Sequence, residues 1–367
     1  MANLQEITEK KKRVRELMTK LDLDAIVLKR QSNYSWLTCG GMNLVGIATE
    51  MGAVSLVLTH DAEYAICNNI EAPRIEKEEK LEEQGYKIRT FEWYDDQERK
   101  IVADIARGGK AGSDCGLPGA MDISNDFNPL RYSLTTWEVE RYREVGHLTS
   151  KAIEEITASI EPGDRECAIV GRLVAKLWEN RIDYITTFCA ADERISTFRH
   201  PLATEKEVKK RAMLCVNSRK WGLIVSLTRF VHIGKVPSDL DKLYKANVHI
   251  DCVLMANTLP GRSVAEVFRK GVEAYAEMGY PEEYKLHHQG GAIGYVGRDY
   301  RANFDSKEIV QENQAFVWNP SITGSKSEDL MLATAQGPVL LSKPVTFPTL
   351  EMKVGGYVFQ RPAILKK

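Results

Sequence analysis

The order of apolar segments in the C-terminal two thirds of the chain limits its fold most. Helical patterns there come in pairs and separate runs of short strand-like blocks, with no strict strand-helix alternation. Thr135 or Thr136 caps a long opening helix, with Glu138, Glu140, Arg141 and Arg143 expected on its polar face. Glu161-Pro162-Gly163-Asp164 turns the chain into a second helix, Arg165 to about Asn180. Strand-like blocks follow at 184–190, 212–217, 223–232, 314–322 and 329–334, interrupted by a third long helix from Val264 to Met278. Regular βαβ alternation would predict a parallel sheet. This order predicts helix pairs on a curved antiparallel sheet, an α+β domain.

The first third reads differently. Leu4, Ile7, Val14, Leu17, Met18 and Leu21 share one face of a surface helix. Strands are expected at 24–28, 53–58, 63–67, 86–91 and 110–114, with a hairpin turn at Thr59-His60-Asp61-Ala62 and a helix from Glu98 to Ala106. This makes a compact α/β unit ending near residue 130. The chain has 367 residues, which at about 150 per domain gives two domains, expected at 1–132 and 133–367.

Fifty basic against fifty-one acidic residues leave a net charge of -1, so neither nucleic acid nor an anionic membrane is an expected partner. No apolar run approaches the roughly 20 residues of a membrane span, and Met1 to Arg15 has no apolar signal core. A cytoplasmic protein is expected. The seven cysteines are scattered with no C-x-x-C pair, which predicts small buried hydrophobes rather than a disulfide framework or zinc ribbon.

Three segments are rich in polar residues where sheet is expected. The first, Arg194 to Pro201, carries His200 before a proline, which fixes an extended or turn geometry. Its near-neutral pKa suits acid-base work, and a surface loop histidine is the plain alternative. The second, Leu286 to Asp299, has His287 and His288 followed by four glycines within eight residues. Neighbouring histidines on a strand point to opposite faces, so these two are not expected to chelate one metal easily. The glycines match neither a dinucleotide fingerprint nor a phosphate loop. The third, Trp318 to Asp329, places Asn319, Lys326 and Glu328 on a bend between apolar strands. Glu328 could act as a base or bind an amine there.

Together these segments resemble the creatinase, prolidase and aminopeptidase P superfamily, over nearly the whole chain. Leu23 to Leu28, then Asn33-Tyr34 and Leu37-Thr38-Cys39-Gly40, look like its N-terminal domain. Glu138 to Ile153 is similar to the helix that opens its catalytic domain. Gly222 to Gly234 with Thr228-Arg229, Gly290 to Gly294, and Ser327-Glu328-Asp329 resemble its glycine/T-R/I-G-K, G-H-G-I-G and terminal E-D motifs. The resemblance implies an α+β pita-bread C-terminal domain behind a smaller α/β domain, and a homodimer.

Peptidases of that superfamily hold two metals with two Asp, one His and two Glu. On the motif alignment those positions are Cys215, Ser226, Gly291, Asn319 and Glu328, so only one carboxylate remains. The resemblance therefore implies no metal pair and no cofactor. It points instead to a creatinase-like, metal-independent hydrolase of a C–N bond in a small amine, amidine or peptide-like substrate. His200 and Glu328 are the expected catalytic residues. His287, Arg298, Asn319, Ser226 and His288 are expected to bind substrate. Two alternatives stand beside it: an inactive binding or scaffold protein, and an Xaa-Pro-type metallopeptidase with altered ligands. In the latter, His200, His287, His288 and Glu328 would bind one transition metal.

Overall fold

A computed structural model describes residues 3–367, which fall into two units, one ending at Arg131 and one running from Tyr132 to Lys367. In the first, the helix Leu4–Leu21 is capped by the Asn3 side chain and buries Ile7, Val14, Leu17 and Met18. Six strands follow: β1 (Ala25–Arg30), β2 (Met51–Thr59), β3 (Glu63–Asn68), β4 (Lys87–Phe91), β5 (Ala111–Ser113) and β6 (Met121–Asp122). They form one mixed sheet in the order β4-β3-β2-β1-β5-β6. The expected hairpin joins β2 to β3 in antiparallel register, closed by Thr59 N–H donating to Ala62 O at 2.9 Å.

The second unit opens on the helix Thr136–Ser159, and Thr135 is its cap. The Thr135 hydroxyl accepts from Glu138 N–H while the Glu138 carboxylate accepts from Thr135 N–H, a reciprocal capping box. Glu138 is consequently not on a solvated face, as its position in the polar run suggested. It is fully buried, and the Tyr295 hydroxyl donates to it at 2.7 Å. The second helix is Glu166–Trp178. Strands β7 (Asp183–Ala191), β8 (Arg211–Lys220) and β9 (Leu223–His232) make an antiparallel ribbon, and later strands build a second sheet. Its five strands are β10 (Gly290–Ala292), β11 (Tyr300–Arg301), β12 (Gln314–Trp318), β15 (Asp329–Thr334) and β16 (Gly337–Leu340), and between β12 and β15 the short strands β13 (Ser321–Ile322) and β14 (Ser325–Lys326) pair with each other as a separate ribbon. The sheet orders are β11-β10-β12-β15-β16 and, closing on β19 (Leu365–Lys366), β19-β9-β8-β7. The expected continuous block 314–322 is broken at Asn319-Pro320, since Pro320 has no N–H to give a ladder.

Two elements of the second unit stand out among those not anticipated. The hairpin of β17 (Thr349–Val354) and β18 (Tyr357–Pro362) is one. The other is the 20-residue helix Ser238–Asn257, which buries Asn247 and Asp251 as well as Val248, Ile250 and Leu254. A helix covered on several sides loses the polar stripe that periodicity looks for. It packs on the helix Val264–Glu277 and contributes to the core around Phe316 and Trp318, whose rings stack at 5.7 Å.

A buried ionic network fixes the strands that carry the candidate site. Arg229 on β9 donates to Glu154 of the opening helix at 3.4 Å and to Asp329 on β15 at 3.0 Å. Asp251 and Asp329 meet Arg361 of β18 at 2.6 and 3.1 Å. Glu154 also accepts from the backbone N–H groups of Val345, Thr346 and Phe347. With every charge partnered, the network holds Thr228 and Glu328 in fixed register; removing one partner of such a pair costs about 3–5 kcal/mol. Among the described residues no helix is long and apolar enough to cross a membrane.

Candidate functional site

Register places the site. In the β8–β9 ribbon Cys215 pairs with Thr228 and Asn217 with Ser226. Side chains two residues apart on a strand share a face, so Ser226 and Thr228 lie side by side. The Thr228 hydroxyl donates to Glu328 at 2.7 Å and also lies 3.2 Å from the Cys215 sulfur. Just before β15, Glu328 meets Lys326 at 2.7 Å and Arg298 at 3.7 Å. Lys326 Nζ is in turn 3.9 Å from Cys215 Sγ.

The charges in this cluster are settled by proximity. Burial alone would raise the Glu328 pKa, but Lys326 and Arg298 outweigh it and hold the carboxyl below its ordinary value. Burial would likewise strip the proton from Lys326, yet the charge and hydrogen bond of Glu328 hold its ammonium above the ordinary lysine value. Burial pushes the Cys215 thiol up, so it is an un-ionised thiol. A permanent buried ion pair therefore sits where the motif alignment expects metals.

Beside it three imidazoles converge. His200 Nε2 lies 3.2 Å from His287 Nε2, and His287 Nδ1 lies 3.1 Å from the Ser321 hydroxyl. The His287 and His288 rings are 4.6 Å apart, and His200 to His288 is 6.0 Å. One nitrogen from each of His200, His287 and His288 lies within 4.8 Å of the other two. The expectation that neighbouring histidines diverge is thus overturned. The chain around them is not a flat strand: a short helical turn over Glu283–Leu286 precedes the pair, and β10 begins only at Gly290, with a positive φ of 99°. The segment before His200 is not sheet either, since Arg194–Thr197 forms a helical turn, and the chain bends at His200 itself.

All three histidines are neutral near pH 7. Burial, then Lys326, pulls His287 to about 2. Burial, then Arg298 and Arg301, pulls His288 to about 4. Burial and Lys326 also lower His200, which stands at the exposed end of the cluster. Arg199 is occupied by Glu283 at 2.5 Å and by the Ser321 hydroxyl at 3.2 Å.

The structure thus brings His200, His287 and His288 into one group and Arg298 and Glu328 into a second, with Lys326 influencing both. Ser226 Oγ, Asn319 Oδ1, Arg298 Nε and His288 Nδ1 are buried with no hydrogen-bond partner among the described residues. Glu328 is not available to the imidazoles or to a fourth ligand position, because Lys326, Thr228 and Arg298 already engage it. Sequence reasoning placed Lys326 on the bend and gave it no role. The available signal was the S-K-S-E-D spacing, which sets Lys326 two residues before Glu328 and therefore on its side of an extended segment.

The metal pair held by peptidases of that superfamily does not fit these residues. At Gly291 φ is 152°, and an added Cβ would meet Tyr300 O at 2.3 Å, so no histidine can stand there on this backbone. Cys215 is a neutral thiol, Ser226 and Asn319 are uncharged, and the Lys326 ammonium lies against the one remaining carboxylate. Two hard divalent ions need several anionic oxygens, and this site supplies one carboxylate already neutralised.

The sequence pattern of metallopeptidase family M24 matches residues 140–335, more than half of the chain. The chain belongs to metallopeptidase family M24. The Xaa-Pro dipeptidase of Pyrococcus horikoshii is 21% identical over 358 residues, 92% of this chain and 97% of that protein. In structure, this M24 chain matches the Xaa-Pro dipeptidase from Bacillus anthracis with a TM-score of 0.78 at 17% identity, over 98% of this chain and 100% of the other. It also matches the N-terminal domain of the FACT complex subunit SPT16 from Cicer arietinum (chickpea), with a TM-score of 0.73 at 12% identity over 94% and 98% of the two chains. The fold is that of the creatinase, prolidase and aminopeptidase P superfamily, a pita-bread domain with an N-terminal domain before it. The expected fold and superfamily hold.

Proposed function

We propose that this M24 member is an Xaa-Pro-type hydrolase, cleaving an amide or related C–N bond in a short peptide or small peptide-like compound, without the family's metal pair. The observation that carries the reading is the convergence of three neutral imidazoles beside a buried Lys326–Glu328–Arg298 cluster. The relatives named as Xaa-Pro dipeptidases supply the substrate class.

His200 is the proton-transfer group. Neutral and at the open end of the cluster, it takes a proton from water as the water oxygen attacks the carbonyl carbon. It returns that proton to the nitrogen as the C–N bond breaks, leaving a carboxylic acid and an amine. His287, 3.2 Å away, orients it. Lys326 and Arg298 face the negative charge that develops on the carbonyl oxygen, and Glu328 holds both cations in place. Ser226, Asn319 and His288 offer the unpartnered polar atoms that would take the substrate's own hydrogen-bonding groups.

The test is a panel of Xaa-Pro dipeptides and small amides assayed with EDTA present. Turnover that survives EDTA and falls by about 10²-fold or more in His200→Ala, with folding intact, is expected. Activity that appears only when Mn²⁺, Co²⁺ or Zn²⁺ is added would refute the metal-independent part. A second reading, a non-catalytic binding protein, draws on the enclosure of Glu328 by Lys326 at 3% and 5% residual exposure. It predicts no turnover of any member of the panel. A homodimer of this chain is also proposed, to be measured by sedimentation.

A further inference from the structure

The three imidazoles have a property that the hydrolytic reading does not use. His200 Nε2 and His287 Nε2 face each other at 3.2 Å. A tetrahedral zinc with Zn–N bonds of about 2.0–2.1 Å sets its nitrogen ligands about 3.3–3.4 Å apart. The Ser321 hydroxyl at 3.1 Å engages Nδ1 of His287, and that outer bond leaves Nε2 to point into the cluster. Metal-bound histidines are held in this way, their second ring nitrogen occupied by a neighbouring polar group. Ser321 is itself fixed, because its backbone N–H donates to the Tyr275 hydroxyl at 2.9 Å. His288 contributes a buried Nδ1 with no partner among the described residues. These facts are independent of the family's metal positions, which lie at Cys215, Ser226, Gly291, Asn319 and Glu328.

We propose that His200, His287 and His288 form a site for a single transition-metal ion, of which Zn²⁺ is the probe, and that its occupancy switches off proton transfer by His200. Three imidazole nitrogens with an open fourth position on the exposed side of His200 suit Zn²⁺ or another imidazole-binding ion, and do not suit Mg²⁺ or Ca²⁺, which need oxygen ligands. The charges around the group are Lys326, Arg298, Arg301 and Arg199 on one side and Glu328 and Glu283 on the other. Glu328 offsets Lys326 and Glu283 offsets Arg199, so the remaining excess is cationic. That excess weakens a dication and favours an anion, such as chloride or a carboxylate, in the fourth position. An ion on His200 Nε2 displaces the contact with His287 that orients the ring and leaves the ring's one proton on Nδ1, which can then no longer accept water's proton, so metal and substrate turnover compete. Only this second half rests on the hydrolase reading.

Zn²⁺ titration of the metal-stripped full chain by calorimetry tests the binding half without any substrate. One ion per chain is expected, with affinity falling about tenfold or more in both His287→Gln and His288→Gln, and no uptake of Mg²⁺. Circular dichroism spectra and melting temperatures of the variants show that they are folded. Wild-type affinity in both folded variants, or no saturable Zn²⁺ uptake by the wild type, overturns the site. The same Zn²⁺ series is then run on any active member of the dipeptide panel. Inhibition that EDTA reverses supports the switch. Activation would keep the site, overturn the competition, and identify the chain as an M24 peptidase with altered ligands. Absence of turnover with Zn²⁺ still bound would count against the hydrolase reading alone.

Discussion

Lys326→Met is the most direct probe of the buried cluster. The Lys326 and Glu328 side chains are 6% and 4% exposed and meet at 2.7 Å, so removing the ammonium strands a carboxylate with almost no water to solvate it. Breaking a buried pair in this way costs about 3–5 kcal/mol. Glu328 keeps the Thr228 hydroxyl at 2.7 Å and Arg298 at 3.7 Å, which places the expectation near the lower end, about 3 kcal/mol. In urea at pH 7, with a slope of about 2–3 kcal/mol/M, the transition midpoint falls by about 1–1.5 M. In the double variant Lys326→Met/Glu328→Gln no charge is left unpaired by the change, so most of the loss returns, giving a coupling energy of about 2 kcal/mol or more. The pH dependence has a fixed sign. In Lys326→Met burial lifts the folded Glu328 pKa above its unfolded value, so the deficit relative to wild type shrinks as pH falls toward 4. A single-variant cost below about 1 kcal/mol, or a double variant no better than the sum of its parts, would show that the pair does not hold the site together.

Further perturbations probe the remaining geometry. Gly291→His, which puts back the residue type expected of a metal ligand, is predicted to lower stability by about 3 kcal/mol or more in a thermal or urea melt, because φ is 152° and its Cβ meets Tyr300 O at 2.3 Å. His287 and His288, held to about 2 and about 4, stay neutral in the folded chain while the unfolded chain protonates them near 6.5. Their contribution to stability is therefore complete above that value and declines as pH falls from 6.5 toward 4; replacing both with Gln should flatten the loss over this window in denaturant titrations. His200 also has a lowered pKa, so turnover should already be on its plateau at pH 7 and decline only on the acid side of 6.5. Thr135→Ala removes one half of the capping box and should cost about 1 kcal/mol in the same melts.

How much of this was legible in the sequence follows from what each residue type reports. Apolar blocks gave β2, β3, β7, β8, β9, β12 and β15 within a few residues; β9, β12 and β15 are buried on both faces and so write largely apolar runs rather than an alternation. The opening helix was visible with Thr135 or Thr136 as its cap, since a hydroxyl before an amphipathic run can satisfy its orphan N–H groups, but the part Glu138 plays in that cap was not. Ser238–Asn257 was not legible, as it buries Asp251 against Arg361 and Asn247 against the Pro320 carbonyl, each more than seventy residues away. The same distance effect hid the role of Glu138, whose partner Tyr295 is 157 residues away. In the site, the family resemblance pointed to His200, His287, Arg298 and Glu328 as candidates, yet not to how they group. Periodicity sent His287 and His288 to opposite faces, and only the helical turn before them and Gly290 after them bring the rings to 4.6 Å.

The grouping changes what the lost ligands mean. Replacing carboxylates by Cys215, Ser226 and Asn319 would by itself leave a hollow with one unbalanced charge, Glu328. A buried carboxylate without a partner is unstable, so the site needs a cation from somewhere, and a metal pair can no longer be held by one oxygen ligand. Lys326 supplies that cation from two residues away on the same segment, with Arg298 as a second at 3.7 Å. Once the ammonium is in place, a divalent ion beside Glu328 would have to displace it against the repulsion of both cations. The backbone at Gly291 adds a steric barrier to the same reversal. The uncharged side chains, the internal cation and the backbone at Gly291 therefore work in the same direction against a metal pair, and the three imidazoles beside them stand as a separate group.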